Sequence, residues 1–204
     1  MKNTPSFQCL RCGKCCNPNQ VNGETAYFIP IYLNEVERIE NLAKQKALKI
    51  TLEPDIMYHD ELNDRLIVVT YALRIDKGGC PFYKSKCIIY DQRPITCKAY
   101  PLSIYMYQDT TCVALKSECT FVQQNRLKLK NLDYYELNDV FCDEFPFSRE
   151  IQIMGHAITD QILALEAEKK VRIPIKIPVE VTEEIKQMEK IRLDEIKREL
   201  ENEL

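Results

Sequence analysis

The first 120 residues carry the pattern of short strands. Residues 50–58 and 65–75 are rich in β-branched and aromatic side chains, which predicts two strands. Residues 102–108 and 111–119 lie on either side of Asp109-Thr110 and predict a hairpin. Segments of this length that follow one another closely pair most simply as a small antiparallel sheet.

Helical periodicity surrounds these strands. Asn34 and Glu37 have the spacing of a capping box, which predicts a helix that begins there. Farther along, residues 133–145 and 148–170 predict two helices, the second with Ser148 as its N-cap. Strands followed by helices indicate an α+β fold, here a small cysteine-rich core on a short antiparallel sheet followed by C-terminal helices.

The C-terminal part of the chain divides at its prolines. Pro174 and Pro178 are incompatible with a regular helix, so the segment around them is predicted to be an extended linker. Thr182 then caps a charged helix that either packs on its own domain or binds a partner. The predicted organisation is a cysteine-rich core at 1–145, a packing helix at 146–172, a linker at 173–180 and a charged C-terminal helix at 181–204.

The composition and charge argue against several classes of function. The net charge of −3 and the pI near 5.6 argue against a general nucleic-acid binder. No apolar run reaches the roughly 20 residues that a transmembrane helix needs, so no membrane insertion is expected. The N-terminal residues lack the apolar stretch of a signal peptide, which predicts a cytoplasmic location.

Ten cysteines change this picture of an ordinary globular chain. In a protein that is not secreted, closely spaced cysteines more often bind metal or do redox chemistry than form structural disulfides. The first cluster reads Cys9-Leu-Arg-Cys12-Gly-Lys-Cys15-Cys16. A C-x-x-C turn presents both sulfurs to one ion, and Gly13 suits the positive φ that such a turn often needs.

The spacing leaves the nature of the centre open. The run Cys9, Cys12, Cys15 matches the first three ligands of a bacterial ferredoxin cluster, and Cys80-Pro81 offers a distant fourth. Cys16 departs from that spacing, and zinc sites also use C-x-x-C turns. A disulfide framework, including a vicinal Cys15–Cys16 bond, is the remaining alternative.

The second cluster reads Cys80-Pro-Phe, Cys87 after six residues, and Arg93-Pro-Ile-Thr-Cys97-Lys-Ala-Tyr-Pro101. Together, the two motifs resemble the YkgJ family, also called the CxxCxxCC family of zinc- or iron-chelating proteins, from residue 7 to about residue 120. Some members of that family, the flagellin lysine N-methylases, carry the motif inside a larger enzyme. The resemblance implies a metal site of cysteine thiolates but no settled reaction.

The resemblance also implies which cysteines are ligands. The matching positions are Cys9, Cys12, Cys15, Cys16, Cys80, Cys87 and Cys97, with Cys119 fitting the last place better than Cys112. Eight thiolates suit one 4Fe-4S iron–sulfur cluster plus a second four-ligand site, or two tetrahedral zinc ions. Cys142 lies outside the pattern and is predicted to be a buried small hydrophobic residue.

Arg93 is a candidate cofactor-binding residue, since a guanidinium beside several thiolates offsets their charge and donates hydrogen bonds. The alternative is a surface pair with Asp91. The chain has no nucleotide-binding glycine motif. The cysteine motif of radical S-adenosylmethionine enzymes begins with a gap of three residues, whereas this run is C-x-x-C-x-x-C.

Three functions therefore remain. The first is a metal-binding protein for redox reactions, electron transfer or metal handling, with an unidentified protein or redox partner. The second is a protein-modifying enzyme, and the third is a structural zinc module that binds a partner through its C-terminal helix.

Overall fold

The structure is a computed structural model that describes residues 5–17, 27–75, 79–175, 177–180 and 182–202. Its strands in this part of the chain are β1 (Tyr27–Tyr32), β2 (Leu52–Pro54), β3 (Met57–Asp60), β4 (Arg65–Val68), β5 (Thr70–Ile75), β6 (Tyr83–Lys84), β7 (Lys86–Cys87), β8 (Leu102–Tyr107), β9 (Thr110–Leu115) and β10 (Lys190–Arg192). Its helices are α1 (Val36–Gln45), α2 (Ile95–Ala99), α3 (Thr120–Leu129), α4 (Tyr134–Val140), α5 (Phe145–Ala167), α6 (Glu183–Gln187) and α7 (Leu193–Asn202). Short 3-10 turns occupy Leu33–Glu35 and Tyr90–Gln92.

The strands form several small sheets. Strand β5 lies between β1 and β2 in one antiparallel sheet, and β4 lies between β3 and β10 in another. The pairing of β10 with β4 is parallel, whereas β6–β7 and β8–β9 are antiparallel hairpins. Helices combined with several small, mostly antiparallel sheets confirm the α+β class. No helix in the described ranges combines the length and apolar character needed to cross a bilayer.

Separate groups of buried side chains hold these elements together. The first core packs Ile31 of β1 and Leu73 of β5 against Ile39 of α1. The second joins β4, α5 and the C-terminal segment, and the third joins the β8–β9 hairpin to α3, α4 and the start of α5. The cysteine motifs lie where the first and third cores approach each other, so both cores position them.

The hairpin prediction is confirmed, but the 65–75 run is not one strand. The chain changes sheets at Val69, whose N–H donates to the carbonyl of Ile56 at 2.9 Å. Val68, Val69 and Thr70 are all buried and typical of a strand, so the sequence pattern gives no sign of the change of partner. The 50–58 run is likewise divided between β2 and β3.

Two predicted helix caps are wrong. Asn34 lies inside a 3-10 turn, and α1 begins after Glu35 without a side-chain cap. Helix α5 begins at Phe145 with a proline in its first turn, so Ser148 lies within the helix. Its hydroxyl accepts a hydrogen bond from the Ile104 N–H at 3.0 Å, which ties α5 to β8.

The C-terminal segment is not the single helix predicted from Thr182. Thr182 does cap α6, accepting a hydrogen bond from the Ile185 N–H. The chain then forms β10 and α7, and Ile191, Leu193 and Ile196 are buried in the second core. Pairing with β4 provides hydrogen-bond partners for the β10 backbone. This pairing depends on a strand distant in sequence, so the local pattern does not reveal it.

A candidate metal centre

Eight of the ten cysteines line a single cavity of about 520 Å³. They are the eight that the family resemblance predicts as ligands, namely Cys9, Cys12, Cys15, Cys16, Cys80, Cys87, Cys97 and Cys119. All ten thiols are free rather than joined in disulfides. The fold therefore brings together residues up to 110 positions apart around one space.

The first motif is a tight loop whose shape depends on Gly13. The Cys16 N–H donates to the Gly13 carbonyl at 2.9 Å, and Gly13 has the predicted positive φ, +76°. A Cβ atom at this position would lie 2.3 Å from the ring of Tyr83. Glycine is thus favoured by its conformation, and any other residue would also have to displace the end of the Tyr83 side chain.

The second motif is docked directly on the first. The Cys80 N–H donates to the Cys16 carbonyl at 2.6 Å, and the Tyr83 N–H donates to the Cys80 carbonyl at 2.8 Å. Cys87 lies in the β6–β7 hairpin opposite Tyr83. Cys97 lies in α2, and the hydroxyl of its neighbour Thr96 donates to the carbonyl of Pro30 at 2.9 Å. Hydrogen bonds therefore join Cys80 to Cys16 and tie the helix that carries Cys97 to β1.

Cys119 occupies the position before α3, where its carbonyl accepts a hydrogen bond from the Gln123 N–H. The Cys12 Sγ lies 3.5 Å from the hydroxyl of Thr120, so the first motif reaches the start of this helix. Cys112 lies in β9 and does not line the cavity.

The prediction that Cys142 is buried is wrong, because its side chain is exposed. The reason is that α4 ends at Val140, and the turn that follows buries Phe141 and Glu144 instead. Cys142 lies outside the cavity, in keeping with its place outside the family pattern.

Four cationic side chains line the cavity, and no Asp, Glu or His side chain of the described chain does so. They are Arg11, Lys14, Arg93 and Lys116. The guanidinium carbons of Arg11 and Arg93 lie 4.1 and 3.7 Å from the centre of the Tyr90 ring. Arg93 Nε also donates to the Tyr90 carbonyl at 2.7 Å, so Arg93 turns inward rather than forming the alternative pair with Asp91.

Burial and mutual proximity control the protonation of the thiols. The sulfur atoms of Cys15 and Cys16 lie 3.8 Å apart. A hydrogen bond between them lowers the pKa of Cys15 to about 7 and raises the pKa of Cys16. Burial raises the pKa of Cys80 to about 11 and, together with the neighbouring Cys80 thiol, raises the pKa of Cys97. Such thiols lose their protons when a bound cation compensates the thiolate charge.

The donor set fits a thiophilic metal. Thiolates favour zinc and iron–sulfur clusters over hard cations such as Mg²⁺ or Ca²⁺. Within the described ranges, no three Cys, His, Asp or Glu side chains already converge on one ion position. Binding would therefore draw thiols inward from the cavity wall, with cationic side chains available to offset their charge.

Several residues of the site were not identified from the sequence. Arg11 and Lys14 stand between the cysteines of the first motif, and their basic character was a readable signal. Lys116 and Thr120 had no such signal, because only the folding of the β8–β9 hairpin and α3 brings them to the cavity.

The chain matches the CxxCxxCC family model, described as a "Putative zinc- or iron-chelating domain", over residues 8–120. This match covers more than half of the chain and includes every cysteine that lines the cavity. The protein belongs to the CxxCxxCC family. Comparisons with curated proteins and with solved structures gave no match.

Proposed function

We propose that this CxxCxxCC protein binds metal through the eight thiolates of the cavity, as zinc or as an iron–sulfur cluster of the 4Fe-4S type. The observation that carries the proposal is the convergence of these eight cysteines on one cavity, while Cys112 and Cys142 lie elsewhere. Four thiols within eight residues gain little from packing in a loop, so metal binding explains their placement better than core formation.

Arg93 is proposed to stabilise the loaded centre. It lies close enough to lower the pKa of Cys97 and of Cys87 against the larger effect of burial. Its stacking on Tyr90 fixes the guanidinium at the cavity wall. A fixed positive charge beside thiolates favours the metal-bound, deprotonated state.

The proposed role is redox chemistry, electron transfer or metal handling in the cytoplasm, with an unidentified protein partner. An iron–sulfur cluster would supply one-electron transfer, and zinc would supply structural cross-linking. The partner-binding helix receives no support, because Leu193 and Ile196 of α7 are buried in the chain's own second core.

The test is elemental analysis and a visible absorption spectrum of protein purified without oxygen. Iron with acid-labile sulfide and a broad band near ~400 nm would identify a cluster. Stoichiometric zinc without colour would identify a zinc protein. Absence of both metals from the wild-type chain would contradict the proposal.

Matched cysteine variants sharpen this test. Cys97→Ser and Cys12→Ser are expected to lower the metal content, because both thiols line the cavity. Cys142→Ser and Cys112→Ser remove thiols outside the cavity and are expected to keep the full content. Equal metal in all four variants would contradict the assignment of ligands.

A further inference from the structure

Four of the eight thiols share one hydrophobic core, and the other four lie outside it. Cys80 belongs to the first core, and three other cysteines, Cys16, Cys87 and Cys97, pack against it. We call these four the inner group. Hydrogen bonds reinforce the grouping, since the Cys80 N–H bonds to the Cys16 carbonyl.

The remaining four, Cys9, Cys12, Cys15 and Cys119, are here called the outer group. Cys119 belongs to the third core rather than the first. Three contacts seat residues 7–15 on the start of α3. Cys12 Sγ approaches Thr120 Oγ1, Lys14 Nζ donates to Gln123 Oε1 at 3.2 Å, and the rings of Phe7 and Phe121 meet edge-on at 5.0 Å.

The Phe7–Phe121 contact is informative because each ring lies two residues from a cysteine, Cys9 in one case and Cys119 in the other. It brings the segment that precedes Cys9 against the segment that follows Cys119. The groups adjoin where Cys15 Sγ lies 3.8 Å from Cys16 Sγ. Adjacent residues of one loop thus serve different sides of the cavity.

The charge of the cavity wall agrees with two centres. Four thiolates around one divalent ion leave a net charge of about −2, so two such centres carry about −4. The four cationic side chains of the wall balance that charge, and within the described chain none of them has an acidic ion-pair partner. A single four-thiolate ion would leave the wall with excess positive charge.

We infer that the cavity holds two separate four-thiolate metal centres, an inner one on Cys16, Cys80, Cys87 and Cys97 and an outer one on Cys9, Cys12, Cys15 and Cys119. This inference rests on the proposed function and assigns each thiol to a centre. It accounts for the Cys15-Cys16 pair, because adjacent thiols then bind different metals.

The experiment is a titration of the reduced full-length chain with Co²⁺ alone, without oxygen, followed by the absorption of tetrahedral Co²⁺–thiolate centres. The wild-type absorption is expected to saturate at about two equivalents. Cys12→Ser removes a ligand from the outer group, and Cys87→Ser removes one from the inner group. Each variant is expected to bind about one Co²⁺ ion per chain tightly. The lost site should weaken by at least about 100-fold, because even second-shell changes cost up to that much.

Double variants separate the groups. Cys12→Ser with Cys119→Ser affects only the outer group, so the inner equivalent should remain. Cys12→Ser with Cys87→Ser affects both groups and should remove both equivalents. Cys142→Ser is the matched control and should bind like the wild type. Far-ultraviolet circular dichroism checks the fold, and Cys16→Ser replaces Cys87→Ser if the latter unfolds.

The outcomes distinguish the two proposals. A wild-type chain that binds no Co²⁺ and contains no metal as purified overturns the proposed function itself. A wild-type chain that saturates at one equivalent, or a folded Cys12/Cys119 double variant that binds none, overturns the division into two centres while leaving metal binding intact.

Discussion

Glu144 illustrates how the position of one side chain sets a dependence on pH. It is 8% exposed, at the start of α5, and it follows the exposed Asp143. Burial, together with the negative charge of Asp143, raises the pKa of Glu144 to about 7. Between the ordinary carboxyl pKa and about 7, Glu144 is therefore protonated in the folded chain and ionised in the unfolded chain.

The sign of the resulting effect follows from proton binding. Between the ordinary carboxyl pKa and about 7, the folded state binds more protons, so the free energy of unfolding falls as the pH rises through this window. Glu144→Gln should remove this dependence and stabilise the protein above pH 7, by on the order of 1–2 kcal/mol. Urea unfolding between about pH 4 and 8 measures it.

Glu150→Gln is the control, because Glu150 is exposed in the same helix. It should leave the pH profile of the wild type unchanged. If Glu144→Gln gives the same stability increase at low and high pH, the assignment of the titration to Glu144 is wrong.

At the scale of the elements, helix α2 is held by a carboxylate from another part of the chain. Pro94 precedes α2 and provides no side-chain cap. Glu35 Oε1 accepts a hydrogen bond from the Ile95 N–H at 3.0 Å and pairs with Arg38, which also donates to the Gln92 carbonyl. These bonds fix the segment that leads to Cys97.

Glu35→Ala should therefore affect both stability and the metal centre. It leaves the buried Ile95 N–H without its acceptor, which costs about 1–3 kcal/mol of unfolding free energy. Glu35→Gln keeps an acceptor and should lose less. Urea unfolding and metal content measure the two effects, and Glu37→Ala, on the exposed side of α1, is the control. Equal stability of Glu35→Ala and the wild type would contradict the role of Glu35.

At the scale of the whole molecule, the C-terminal segment and the metal site belong to different cores. The second core contains Leu193 and Ile196 together with Ile67 of β4 and Ile162 of α5, and none of its members is a cysteine. The segment supplies the edge strand β10 beside β4, while residues of the first and third cores line the cavity.

Leu193→Ala should consequently lower the unfolding free energy by about 2–5 kcal/mol through cavity formation, since Leu193 is fully buried. The metal content of the folded protein should not change. Chemical denaturation and elemental analysis of the same sample test both statements. Leu127→Ala is the control, because Leu127 is 84% exposed. Loss of metal from the folded Leu193→Ala protein would contradict the separation of the two cores.

The sequence alone predicted the class of the fold and the β8–β9 hairpin, because both reside in local pattern that a chain displays before it folds. The resemblance of its motifs to the CxxCxxCC family named the eight cysteines that line the cavity. Gly13 belongs with them, because a tight C-x-x-C turn predicts its positive φ from local geometry.

Only the tertiary structure decided the rest. The change of sheet at Val69, the strand β10 inside a predicted helix, and the pairing of Glu35 with Ile95 all depend on partners distant in sequence. Tertiary packing also brings Lys116 to the cavity. It likewise places the thiols in the inner and outer groups. Long-range packing and hydrogen bonding override local preference, because the gain from burying and pairing a segment exceeds the differences in intrinsic propensity.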